Sequence, residues 1–519
     1  MTKYIINKIT IIALALLMVS CADDILKEES TINTPTDSYF QSFNDLDAVV
    51  TATYKQLVTA AWGTGMGSAR SRTVFMGADD FTSQATGNKG DFKESDLLNI
   101  SPSNTGISST GWDMPYRVIQ QANFAIAGQQ ILLSNSENST EINSRAAEAY
   151  TLRAWAYFRL VRLYGDLPLV LDYRYSPATS SLSRSSVSDV YTQILSDLEF
   201  AIEHLPEIQT ERARLSKWAA KAIRSKVYLT MAGWPLKQTE NYAKALSDAE
   251  DILNNGPFEF ESTFSDIFKE AREDSNTEYI WQLKFCNEVD CPGSGLFHVF
   301  ALRPQKPNFI GGFGDLFVEK AFYNKYPEGS RKDFTFLSQV IDATEGVKTW
   351  ENFDVKHPFL SKFYDTYFNK NIAWQSQENI LPAMVGIDFP LFRITEIMLI
   401  YSEAHIMGGG GNATTALNYL NMVKRRGKGV AVNTADADDA TSLTQQAIID
   451  ERGWEFIGEM KRWFDLTRTE TLASALADRD EPSDMTLLGS PSDKNRYYLP
   501  VPALEIQYNP NLEPQNPGY

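Results

Sequence analysis

The run from Glu141 to Tyr164 constrains the fold of this chain more than any other stretch. Ala149, Leu152, Ala156, Leu160 and Leu163 recur at steps of three or four, the repeat of an α-helix with one apolar face. Gly165 and Pro168 stop it. The same pattern then returns. Ser186 opens a helix with Asp189 three residues on, a capping-box arrangement, and Val190, Ile194, Leu198, Ala201 and Leu205 form its face up to Pro206. Ser216 opens another through Ala220, Ile223, Val227 and Met231, and Asn241 to Leu253 follows, ended by Asn255-Gly256-Pro257. Asp45 to Trp62 and Tyr116 to Leu133 precede these, while Leu391 to Gly408, Ala413 to Arg426 and Leu443 to Arg468 come later. Amphipathic helices must bury their apolar stripes. Consecutive helices with short connectors do so as antiparallel pairs. The expected fold is mainly α; such pairs stacked side by side would form a tetratricopeptide-like superhelix, an assignment the divergent period alone does not make.

Between about Pro257 and Phe389 this periodicity weakens, and Gly, Pro, Asn and aromatics cluster, as in Pro292-Gly293-Ser294-Gly295 and Gly311-Gly312-Phe313-Gly314. The expectation is a helical platform over 36–256 and 390–470, carrying a loop-rich face over 257–389 with short strands and helices. Residues 495–519 read as extended, because Pro500 and Pro502 forbid a helix there.

The N-terminus is an address rather than part of the fold. Lys3 and Lys8 precede an apolar run from Ile9 to Val19, too short to span a bilayer as a helix. Met18-Val19-Ser20-Cys21 then looks like a bacterial lipoprotein signal, with residues 1–20 removed and Cys21 lipidated. Residues 21–35, with Asp23, Asp24, Glu28 and Glu29, form an acidic tether. With Cys21 lipidated, Cys286 and Cys291 remain, in a short polar segment where a disulfide would rigidify one loop.

The formal charge is −18 and becomes −20 once Lys3 and Lys8 leave with the signal. Such a balance argues against nucleic acid and against docking on anionic lipid. Three cysteines and four scattered histidines leave little material for a metal site, and no cofactor is expected. Glu451, Glu455 and Glu459 fall on one stripe of one helix. A glycosidase needs two carboxylates facing each other across a cleft, so the stripe reads instead as an ion-pair network with Arg452, Arg462 and Arg468 nearby.

Four stretches resemble the SusD/RagB family of nutrient-binding outer-membrane lipoproteins. They are Ala147 to Val170 with its Tyr164-Gly165-Asp166 ending, Phe392 to Ala404, Glu451 to Arg468, and Tyr498 to Tyr519. Together with the signal they run through nearly the whole chain in order. The resemblance implies a helical platform of tetratricopeptide-like pairs in a single domain over 36–519, no catalysis, and capture of oligosaccharide or polysaccharide at the cell surface. It also implies a SusC-like TonB-dependent transporter as partner. The alternatives are a carbohydrate-active enzyme and a helical-repeat adaptor that binds protein.

Sugar binding without chemistry calls for flat aromatic faces with polar neighbours. Trp155, Trp218, Trp234, Trp454 and Trp463 lie in helical patterns, where packing is the default. Trp62, Trp112, Trp281, Trp350 and Trp374 lie at helix ends or in irregular segments and are the glycan-binding candidates. Asp80, Asn88 and Lys89 in the first insert, and Tyr364 in the middle region, are candidate partners for the sugar.

Overall fold

A computed structural model describes residues 39–58, 65–68, 71, 75–83, 89–135, 138–285, 313–363, 371–376, 386–479 and 486–519. The principal helices are α1 (Phe43–Leu57), α2 (Met114–Asn135), α3 (Ser139–Tyr164), α4 (Val187–His204), α5 (Lys217–Met231), α6 (Asn241–Asn255), α7 (Ile394–Ala404), α8 (Ala413–Lys428), α9 (Gln445–Phe456) and α10 (Arg462–Arg468). From α1 to α8 each packs on the next, and α9 closes on both α7 and α8. This is the stack of helical pairs that the periodicity suggests and the tetratricopeptide-like platform that the resemblance implies. Although α6 and α7 are separated by the whole middle region, they are direct neighbours. The insert is therefore looped out of a continuous stack.

Local chemistry sets the helix ends. The Ser186 hydroxyl accepts from the Asp189 backbone N–H at 3.2 Å, capping α4. Gly165 ends α3 at φ +73, and a Cβ there would lie 2.8 Å from the Tyr498 ring, so both backbone and packing demand glycine. Two expected boundaries are corrected. Leu443–Arg468 is two helices, not one, because Gly458 turns the chain at φ +81 between α9 and α10. The C-terminal segment is not extended throughout: Pro500 and Pro502 lead into a short helix at Ala503–Tyr508.

The insert region contributes short antiparallel strands. β1 (Phe81–Ser83) pairs with β3 (Leu316–Val318), joining the first insert to the middle region. β2 (Tyr279–Leu283) pairs with β8 (Phe389–Arg393), which runs straight into α7. β4 (Phe336–Leu337) pairs with β7 (Phe359–Leu360), and β5 (Gln339–Asp342) forms a hairpin with β6 (Gly346–Thr349).

A buried ionic core fastens insert to stack. Arg393 at the end of β8 reaches Glu278 at 2.5 Å, Glu455 at 2.9 Å and Glu459 at 2.8 Å. Arg426 of α8 reaches Glu278 and Glu455, Arg331 reaches Glu451 and Glu455, and Lys362 reaches Glu459. The acidic stripe is thus an ion-pair network, but its cations come from other elements, two of them from the insert. The nearby arginines pair elsewhere: Arg452 with Glu396 and Asp465, Arg468 with Glu403 and Asp465, and Arg462 with Asp79. Removing one partner from such a buried set is costly because the other charge is left unpaired.

Candidate functional site

The β5–β6 hairpin gathers the features a sugar face needs. Its turn is tied by Asp342, whose carboxylate accepts from the Thr344 N–H at 2.8 Å, the Thr344 hydroxyl at 2.7 Å and the Glu345 N–H at 2.9 Å. These bonds, led by the Thr344 hydroxyl, hold the Asp342 carboxyl well below its ordinary range. Gly346 takes φ +78 at the start of β6, a left-handed position that suits glycine. The second Asp342 oxygen accepts from Gln375 Nε2 at 2.8 Å, and Gln375 Oε1 accepts from the Ala343 N–H at 2.9 Å. Ala373 also bridges Ile341 in parallel. Residues 371–376 are therefore laid along one side of the hairpin.

Trp350 follows directly on β6, with its N–H donating to the Ser338 carbonyl at 2.8 Å. Its indole is half-buried. The Tyr323 ring meets it edge-on with centroids 6.1 Å apart, and Lys320 Nζ lies 5.8 Å from the ring centre. Val347 and Ile372 are exposed on the same hairpin assembly, at 59% and 41%. A rigid, part-open aromatic with an ammonium beside it can stack on the C–H face of a sugar and donate to its hydroxyls.

Along the β1–β3 junction, Lys89 is exposed, 3.2 Å from the Asp315 carboxylate and 5.8 Å from the centre of the Phe313 ring. Lys89 thus remains accessible from solvent.

Three of the expected contacts are corrected. Trp112 is buried at 3% exposure, in a π-helical turn leading into α2, where Tyr116 and Tyr164 enclose its ring at 5.0 and 4.9 Å. Trp281 is buried at 1%, in β2, edge-on to Trp155 at 5.8 Å. Asp80 is buried immediately before β1, where its carbonyl accepts from the Glu319 N–H at 3.1 Å. None of the three offers a face to a ligand. The irregular segments looked free to present side chains, but pairing with distant partners draws these ones inward. Trp62, Asn88, Tyr364, Cys21, Cys286 and Cys291 lie outside the described residues. For Trp374 only the backbone is described, in a short 3-10 turn beside the hairpin. The sequence reading missed Tyr323, Lys320, Asp342 and Gln375. The run Asp342-Ala343-Thr344-Glu345-Gly346 was the available turn signal for the hairpin.

Two family models match the chain: the SusD family over residues 359–519, and a family described as starch-binding, associating with outer membrane, over residues 25–229. The chain is 28% identical to SusD-like protein P2 of Formosa agariphila, with 100% of each covered. A solved SusD homolog from Bacteroides thetaiotaomicron superposes with a TM-score of 0.77 at 19% identity, covering 93% of this chain and 98% of that one. Surface glycan-binding protein A from the same species, solved with laminarihexaose, gives 0.72 at 20% identity over 91% and 99%. The solved likenesses show that the fold is shared.

Proposed function

Because the chain belongs to the SusD-like family, we propose that it is a cell-surface glycan-binding lipoprotein. In this reading it captures oligosaccharide or polysaccharide and delivers it to a SusC-like TonB-dependent transporter in the outer membrane. The family description names starch binding and outer-membrane association, and a relative of the same fold carries a bound laminarihexaose. The observation in this chain that carries the reading is Trp350, half-buried against Tyr323 and fixed to the Asp342-tied hairpin. Binding is by stacking and hydroxyl contacts, with no bond made or broken.

The proposed organisation is a leader over 1–20, a tether over 21–35 lipidated at Cys21, and one domain over 36–519. Lys89, Trp350, Trp374, Trp62, Asn88 and Tyr364 are the glycan contacts in this proposal, and Cys286 pairs with Cys291.

Affinity electrophoresis of the tagged mature protein against a panel of neutral and acidic polysaccharides tests the function. Retardation by at least one glycan, reduced in Trp350→Ala, is expected. Retardation by none, or released reducing ends during incubation, would reject it.

A further inference from the structure

Two arginines of α3 stand apart from the ionic core. Arg159 is buried, and Arg162 is half-buried. Among the described residues neither makes an ion pair with a carboxylate. Arg159 Nη2 reaches the Thr110 carbonyl at a long 3.4 Å, its guanidinium lies 4.9 Å from the Phe75 ring centre, and its buried Nε has no hydrogen-bond partner. The Arg162 guanidinium is sandwiched between Phe158 at 3.7 Å and Phe464 at 3.9 Å, and its Nε donates to the carbonyl of Phe158 one turn back.

Both arginines line a cavity of about 60 Å³ between α3, β8 and the start of α10, and Lys226 and Lys461 line it too. The carboxylates on its wall are Glu396 and Glu459. Glu396 is already held by Lys461 at 2.5 Å, Arg452 at 2.9 Å and Lys226 at 3.3 Å. Glu459 is held by Lys362 at 2.6 Å and Arg393 at 2.8 Å. Lys226 and Lys461 are thus paired with Glu396, and Glu459 is taken by Lys362 and Arg393, so of the four cations lining the cavity only Arg159 and Arg162 have no carboxylate partner among the described residues. A buried cation without a counter-charge is strongly disfavoured. The arginines register that cost: burial and the neighbouring Arg162 pull Arg159 down to about 9, and burial pulls Arg162 down to about 10.

We propose that this cavity binds one small monoanion, either a chloride ion or a single carboxylate group, between Arg159 and Arg162. The volume suits a group the size of one or two water molecules, each occupying about 30 Å³ in the liquid, and is too small for a sugar ring. Guanidinium N–H groups supply charge-assisted donors of the right kind. The site is independent of the hairpin face and does not rest on the glycan reading.

The test uses the whole mature protein. Crystals soaked in bromide should show an anomalous peak between the two guanidinium groups. Melting followed at constant ionic strength in sodium-HEPES buffer should rise saturably as chloride or formate replaces HEPES, by the usual linkage of ligand to stability. A rise with chloride but not formate identifies an inorganic ion, and a rise with formate identifies a carboxylate site. Arg159→Met should abolish the response. If that variant does not fold, Arg162→Met is read in the same way. The proposal fails if no bromide peak appears at the arginines, or if melting ignores both anions, or if the variant responds as wild type does. The bromide arm needs no variant, so it decides the matter even if both substitutions prevent folding.

Discussion

Arg462 holds Asp79 through both carboxylate oxygens, Nε to Oδ1 at 2.6 Å and Nη2 to Oδ2 at 2.7 Å, across 383 positions of sequence. This bidentate pair clamps the first insert onto α10. The arginine is 8% exposed and the aspartate 15%, so little water competes for either. Gly453 makes room for it, since a Cβ there would lie 2.8 Å from Arg462 Nη1.

Asp79→Asn should therefore destabilise the protein by about 3 kcal/mol, because it leaves the Arg462 charge buried and unpaired. Urea denaturation measures this as a lowered midpoint with the slope unchanged. A midpoint equal to wild type would mean that the pair contributes nothing.

Stability should peak in mildly acidic solution. Burial pushes the Glu455 carboxyl up, but Arg426, Arg393 and Arg331 outweigh it and bring it to about 2. A depressed carboxyl contributes stability that is present above its unfolded value, about 4.3, and lost as pH falls through its folded value. Glu273 and Asp388 act oppositely. Burial, then the charge of Asp388, raises Glu273 to about 8, and burial raises Asp388 to about 7. The folded state holds their protons more tightly, so their contribution is fully present below the unfolded value and lost as pH climbs through the folded one. Denaturation midpoints should fall from about pH 5 toward pH 8 and also from about pH 4 toward pH 2. Asp388→Asn should flatten the upper limb alone, and an unchanged upper limb in that variant would refute the assignment.

The parts of this molecule that are local in sequence were legible, and the non-local parts were not. The faces of α3 to α6 follow from side chains three and four apart, which no distant partner alters. The Glu451, Glu455 and Glu459 stripe was legible as structural, but Arg393, Arg426, Arg331 and Lys362 could not be assigned to it, because they arrive from elements far away in the chain. Trp281 was misjudged for the same reason. Its strand is completed only by β8, where Trp281 stands opposite Phe392, and that pairing buries it. Helical periodicity ran on past Phe456 because apolar spacing does not report a left-handed glycine such as Gly458.

The two kinds of tryptophan should separate by experiment. Trp281→Ala should cost about 3–5 kcal/mol of stability, as expected for emptying a buried aromatic site, and leave glycan affinity of the folded fraction unchanged. Trp350→Ala should lower glycan affinity by about 1–3 kcal/mol if it acts as an interface anchor, with a small change in melting. Calorimetric titration and thermal melting of both variants give the four numbers. Matching losses of stability in both, with no loss of binding in either, would make Trp350 a packing residue.

Cys21→Ser should move the protein from the membrane fraction to the soluble fraction of the producing cell, because a lipid chain is the proposed anchor. Immunoblots of separated fractions decide this. Unchanged membrane partition of the variant would remove lipidation at Cys21 from the proposal.

Asp342→Ala tests whether the hairpin is the working part of the face. The substitution removes acceptors for Thr344, Glu345 and Gln375 together, so it loosens the turn and also releases residues 371–376 from its side. A two-stranded hairpin is marginal without such ties, whereas the stack beneath does not depend on them. Hydrogen exchange should therefore quicken over 339–349 and 371–376 while α3 keeps its protection, and the melting temperature should change little. Glycan affinity should fall several-fold, because Trp350 follows directly on the loosened β6, and Thr344→Ala, which removes a single hydroxyl donor worth about 1 kcal/mol, should produce the same changes in smaller measure. Faster exchange with undiminished affinity would place the glycan elsewhere than on this hairpin. Exchange unaltered at both segments would mean that Asp342 does not hold them together.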